Sequence, residues 1–174
     1  MVINALICGL IWSVMWSVYV FLILKYYPFS MLHDYPKDIQ AAAAIDKPSK
    51  EQEKAAKRFG AVGGLIILGT LLAFGLLRFH GEQVSFLPVL EYLFIVAMTW
   101  NVADLLVMDW LIVCTITPKW VVIRGTEGCK GYKDYLFHFK GFLIGCVYTA
   151  IMAVLFSGID YAILRFLIRS RLCL

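Results

Sequence analysis

Charge is what this chain has least of. Only 16% of its 174 residues are Asp, Glu, Lys or Arg, whereas a soluble domain carries about 25%. So little charge beside 61% hydrophobic residues argues against an ordinary water-soluble fold. Catalytic signatures are missing as well: there is no H-E-x-x-H, P-loop, G-x-S-x-G or paired-aspartate phosphotransfer motif. The cysteines Cys8, Cys114, Cys129, Cys146 and Cys173 are odd in number and form no C-x-x-C pair. That spacing argues against disulfide exchange and for thiols buried as small hydrophobes. No basic segment or small-residue cleavage pattern marks a signal peptide, so the first apolar run is expected to be retained.

What is present is four long apolar runs, at 2–24, 61–79, 87–117 and 142–164. Crossing a hydrocarbon core about 30 Å thick takes about 20 helical residues, and membrane β-strands need only about half that number with alternating polarity. The expected fold is all-α: an integral membrane bundle of four transmembrane helices, one domain over 1–174, with a small cytoplasmic interfacial cap. The net charge of +4 lies beside the runs, where headgroups and orientation account for it, so nucleic acid is not an expected partner. The bilayer is; a homo-oligomer or membrane-protein partner stays open, and no cofactor is implied.

Basic residues concentrate in the loops 25–60 and 118–141, which places both in the cytoplasm and both termini outside, in a plasma membrane of bacterial type. Arg165, Arg169 and Arg171 count against that orientation, and the tail 166–172 has the character of an interfacial segment. In the first loop, Ser49 and Gln52 read as a capping box opening a charged helix that runs into the second span. In the second loop, 119–124 is β-prone, 125–131 is a glycine-punctuated turn and 132–139 is aromatic and basic.

Small residues recur every four positions in the last run, at Gly141, Gly145, Thr149, Ala153 and Ser157, a ridge that lets another helix come close. Gly9, Ser13 and Ser17 make a shorter one. Trp12, Trp16 and Tyr19 fall on one side of the first helix and have the makings of a pocket wall for a flat ligand or lipid tail, as well as of plain core.

The third run carries most of the intramembrane polarity: Glu91, Asn101, Asp104 and Asp109. As a straight helix it would measure about 46 Å, longer than the hydrocarbon, so Glu91 belongs to the outer boundary. There it groups with Asp160, Arg78 and Arg165, whose mutual neutralisation is the expected role. Asp109 is within reach of Lys25, Lys119 or Lys140. Asp104 and Asn101 fall near the midplane, where a charge costs from about 2.5 to well over 10 kcal/mol and marks function by default. No span carries a cation away from its ends, so Asp104 must be protonated, bound to a cation, hydrated, or hydrogen-bonded to Asn101, Ser13, Ser17, Thr70 or Thr149.

Asn101, Asp104 and Asp109 are therefore the candidate substrate or ion site of a small transporter or channel subunit. A membrane enzyme acting on a lipid is the alternative. Its catalytic candidates are His33, Asp134 and His138, converging with Asp34, Glu127 and Asp109 around a metal or an acid/base pair. A third possibility is an assembly partner whose polar residues only fix packing.

Overall fold

A computed structural model describes residues 1–172, with side chains placed as far as residue 169. Four helices are long and apolar enough to cross a membrane. They are α1 (Val2–Tyr26), α2 (Lys50–Phe79), α3 (Phe86–Ile116) and α4 (Tyr135–Leu172). Their outward side chains are apolar, as in Ile3, Leu65, Leu77 and Tyr148, which lipid tolerates and water does not. The chain is a multi-pass helical membrane protein.

The helix ends follow from local chemistry. Pro28, which lacks an amide hydrogen, closes α1 and opens a short helical turn, Pro28–Met31. Gln52 N donates to the Ser49 side chain at 3.2 Å while Ser49 N donates to Gln52 Oε1 at 2.8 Å, the reciprocal box expected. Glu51 and Glu53 in the first turn suit the positive end of the α2 dipole. Asp134 caps α4 by accepting from Phe137 N at 2.9 Å. From there α4 runs unbroken through the tail instead of ending near 164 with a separate interfacial segment.

Consecutive spans alternate in direction, so α1 and α3 run one way and α2 and α4 the other. α3 lies between α1 and α4 and packs along both, and α2 touches all three. Trp12, Leu71, Phe79, Tyr92 and Leu93 fill the centre, and Trp12 Nε1 donates to the Ile67 carbonyl at 2.9 Å. Glycines admit the neighbours' side chains: Thr99 over Gly9, Tyr19 over Gly63, Asp160 over Gly75 and Asn101 over Gly145. The small-residue ridge is thus spent largely inside the chain, with Thr149, Ala153 and Ser157 all buried.

The two long loops close over one end of the bundle, called here the basic face. Tyr35, Ile39, Val121, Ile123 and Tyr132 form a small second core there. Asp38 accepts from Gly131 N at 2.8 Å, and Ala44 N donates to the Arg124 carbonyl at 2.8 Å. No strand forms among the described residues. The β-prone stretch 119–124 folds into turns because it meets no partner strand, only that one backbone bond, and buries Val121 and Ile123 in the cap instead.

Candidate functional site

The site is built on a change of helix type. From Asp104 to Ile116, thirteen residues of α3 are wound as a π-helix, with i→i+5 hydrogen bonding such as Thr117 N to the Ile112 carbonyl at 2.8 Å. In an α-helix, residues five apart point about 140° away from each other. The wider turn brings Asp104 and Asp109 onto one wall, and both line the same cavity of about 610 Å³.

That cavity lies between α1 and α4 with the π-segment as its floor. Trp16, Val20 and Leu24 come from α1; His138, Gly141, Ile144 and Gly145 come from α4. Its inner end is closed by Trp16 stacked on Trp100, ring centres 5.4 Å apart and 10° from parallel. Trp100 and Asn101 are at the middle of the 31-residue helix, so the cavity reaches about half-way into the bundle from the basic face. His33 and Asp34, 3.2 Å apart and largely exposed, stand at its mouth. Burial pushes the Asp34 carboxyl above its ordinary range, with His33 working the other way. Burial also pushes the neighbouring Tyr35 phenol up.

Asp109 pairs with His138, Oδ1 to Nδ1 at 2.9 Å, and not with a lysine. His138 is placed by the first turns of α4, closer than a lysine whose ammonium prefers the headgroup water. The contact turns Nδ1 toward the Asp109 carboxyl. Nε2 then has no hydrogen-bond partner and no accessible surface.

The half-buried carboxyl of Asp104 makes no hydrogen bond or ion pair among the described residues, although Asp109 and His138 are within electrostatic reach. The partners expected for it are otherwise engaged. Asn101 donates to the Phe142 carbonyl at 3.4 Å and to Cys146 Sγ at 3.3 Å; Ser13, Ser17 and Thr70 bond to carbonyls of their own helices. Thr149 is buried in the bundle and does not line the cavity.

Asn101, Asp104, Asp109, His33, Asp34 and His138 are therefore brought together, while Asp134 and Glu127 are not. Asp134 is spent as the α4 cap, and Glu127 is exposed on the cap's turn. No three His, Cys, Asp or Glu side chains among the described residues are grouped to hold a metal ion, so the metal version of the enzyme alternative has no ligand set there.

The outer-boundary grouping also differs. Arg78 pairs with Glu82 at 2.9 Å, Arg165 lies over the Tyr161 ring, and Glu91 is exposed. Asp160 is 0% exposed and both its carboxyl oxygens lack a partner, as does Ser157 Oγ. The sequence held the signal: Asp160 sits one turn beyond Ser157, on the ridge that faces inward.

Trp100 was missed as a wall because an aromatic in a span resembles core or lipid contact until its neighbours are known. The aromatic stripe of α1 divides, Trp12 into the core, Trp16 to the cavity and Tyr19 to the Gly60 carbonyl.

Compared with known proteins, the chain matches no family model, no curated protein and no solved structure, and the site is read on its chemistry alone.

Proposed function

We propose that this membrane protein is a small carrier, or the carrying subunit of one, that takes a cationic solute into the cavity on its basic face with Asp104 as the counter-charge. One observation carries this reading: Asp104 lines a cavity half-way into the bundle, and its carboxyl has no hydrogen bond or ion pair among the described residues. A carboxylate at that depth is tolerated when a cation, a proton or water compensates it. Trp16 and Trp100 line the same cavity, and an indole face left free by their mutual stacking would attract positive charge by about 0.5–2 kcal/mol. A cavity closed at its inner end suits a carrier that exposes one side at a time.

The test is binding and uptake of tetramethylammonium and dodecyltrimethylammonium by the protein in nanodiscs and proteoliposomes. Asp104→Asn keeps the size and removes the charge, and is expected to abolish uptake. Uptake equal to the wild type would end the proposal.

The Asp109–His138 pair supports a second reading, acid/base chemistry on an amphiphile, because an oriented imidazole is the usual general base. Its working atom, Nε2, is sealed from the cavity, so His138 would first have to turn. The carrier needs no such rearrangement and ranks first. Loss of lipid turnover on His138→Ala with uptake intact would reverse the order.

A further inference from the structure

The walls of the cavity are not joined to each other. α1 and α4 each pack along α3 from opposite sides, with no comparable packing between them, and the cavity is the wedge they leave. Its α4 wall is thin. Gly141 has no side chain, and a Cβ built there meets nothing within 4 Å. Ile144, one turn on, lines the cavity, is 59% exposed, and heads a stripe of exposed apolar side chains, Val147, Tyr148 and Ile151, down the same helix face. Ile144 and Gly145 belong to the apolar run of α4, and Gly145 receives the side chain of Asn101 from the middle of α3. The gap therefore faces lipid tails and not water.

Chemistry is distributed unevenly around it. The charged residues lining the cavity include three carboxylates, Asp34, Asp104 and Asp109, against one lysine, Lys140. The acids stand at the floor and mouth, whereas the flanks on either side of the gap are Val20, Leu24 and Ile144.

Resting on the carrier reading above, we infer that the gap between α1 and α4 is a lateral portal, and that the substrate is a cationic amphiphile drawn from the leaflet on the basic face. The amine or quaternary head lies against Asp104 under the tryptophan wall. The apolar body leaves through the gap beside Gly141 and Ile144 into the bilayer. A head with no body gains nothing from the portal.

Two probes with the same head isolate the body: dodecyltrimethylammonium, which partitions into bilayers, and tetramethylammonium, which stays in water. Equilibrium binding of each is measured on the protein in nanodiscs, corrected for partition into empty discs. The dodecyl compound is expected to bind about tenfold or more tighter than the methyl compound. Gly141→Trp starts from a position where a Cβ meets nothing within 4 Å, and should lower that ratio by about tenfold; Ile144→Trp, a second plug from the same side, should lower it too. Asp104→Asn should weaken both probes and leave the ratio near its wild-type value. A ratio unmoved by both tryptophan variants, in protein whose melting is normal, overturns the portal. Loss of both affinities in Asp104→Asn alongside that result leaves the carrier standing without it, whereas affinities unmoved in Asp104→Asn remove the carrier reading itself.

Discussion

At the scale of single residues, two acids face opposite situations. Asp104 looks into a cavity and can be compensated from there. Asp160 is 0% exposed, and its Oδ2 fills the space that a side chain on Gly75 would take. Only glycine leaves room for it: a Cβ at position 75 would collide with Asp160 Oδ2. The two positions should therefore be coupled. Gly75→Ala is expected to destabilise the protein in detergent by about 1–3 kcal/mol, the usual cost of overpacking. The same change made on top of Asp160→Ala should cost much less, giving a coupling of about 1 kcal/mol or more in a double-mutant cycle of thermal unfolding. Strictly additive effects would mean that Asp160 does not occupy the space Gly75 leaves. Depth along a span was legible in the sequence for both acids, but the direction each one faces was not. Asp160 was accordingly paired with arginines that in fact serve Glu82 and Tyr161.

Among the elements, the π-segment of α3 decides the site and was the least legible part of it. Apart from its two acids, nothing in Asp104–Ile116 departs from an ordinary apolar helix, because widening depends on how the turns are held from outside. One such hold is Lys133, whose ammonium donates to the Cys114 carbonyl at 2.6 Å, the Thr115 carbonyl at 3.1 Å and Thr117 Oγ1 at 2.6 Å. A cation there satisfies the last carbonyls and opposes the negative end of the helix dipole. It also holds Thr117 at φ +47°, a left-handed conformation that costs a β-branched residue energy. Lys133→Met keeps the apolar stem and removes the donors. Hydrogen bonds to a charged group contribute about 1.5–3 kcal/mol, so the variant should unfold earlier by about that amount. Amides near the end of the π-segment should exchange faster while those of α2 do not. Unchanged exchange around residues 112–117 would show that the cap does not hold the widened turns. The capping box of α2, by contrast, was fully readable, because Ser49 and Gln52 interact within a single turn.

For the whole molecule, four apolar runs were enough to reach the four-helix bundle, since a span's length requirement is one-dimensional and survives any packing. What the runs could not give was the arrangement around α3, on which the cavity depends. Asp104 and Asp109, read as an intramembrane ion site, turn out to share a cavity with His138, read as a catalytic candidate, because α4 begins at Tyr135 and carries His138 to Asp109. The central claim is that Asp104, deep in an apolar bundle, faces an open, cation-accepting cavity. Its most direct test is chemical access to position 104 in the protein held in nanodiscs. Asp104→Cys would be treated with a cationic and an anionic water-soluble thiol reagent, with modification at each cysteine mapped by mass spectrometry. The account predicts modification at 104, faster with the cationic reagent because Asp34 and Asp109 remain in the cavity, and slowed by dodecyltrimethylammonium. A thiol at 104 that stays unmodified by either reagent, while a cysteine put in place of the exposed Glu127 reacts in the folded protein, would contradict it.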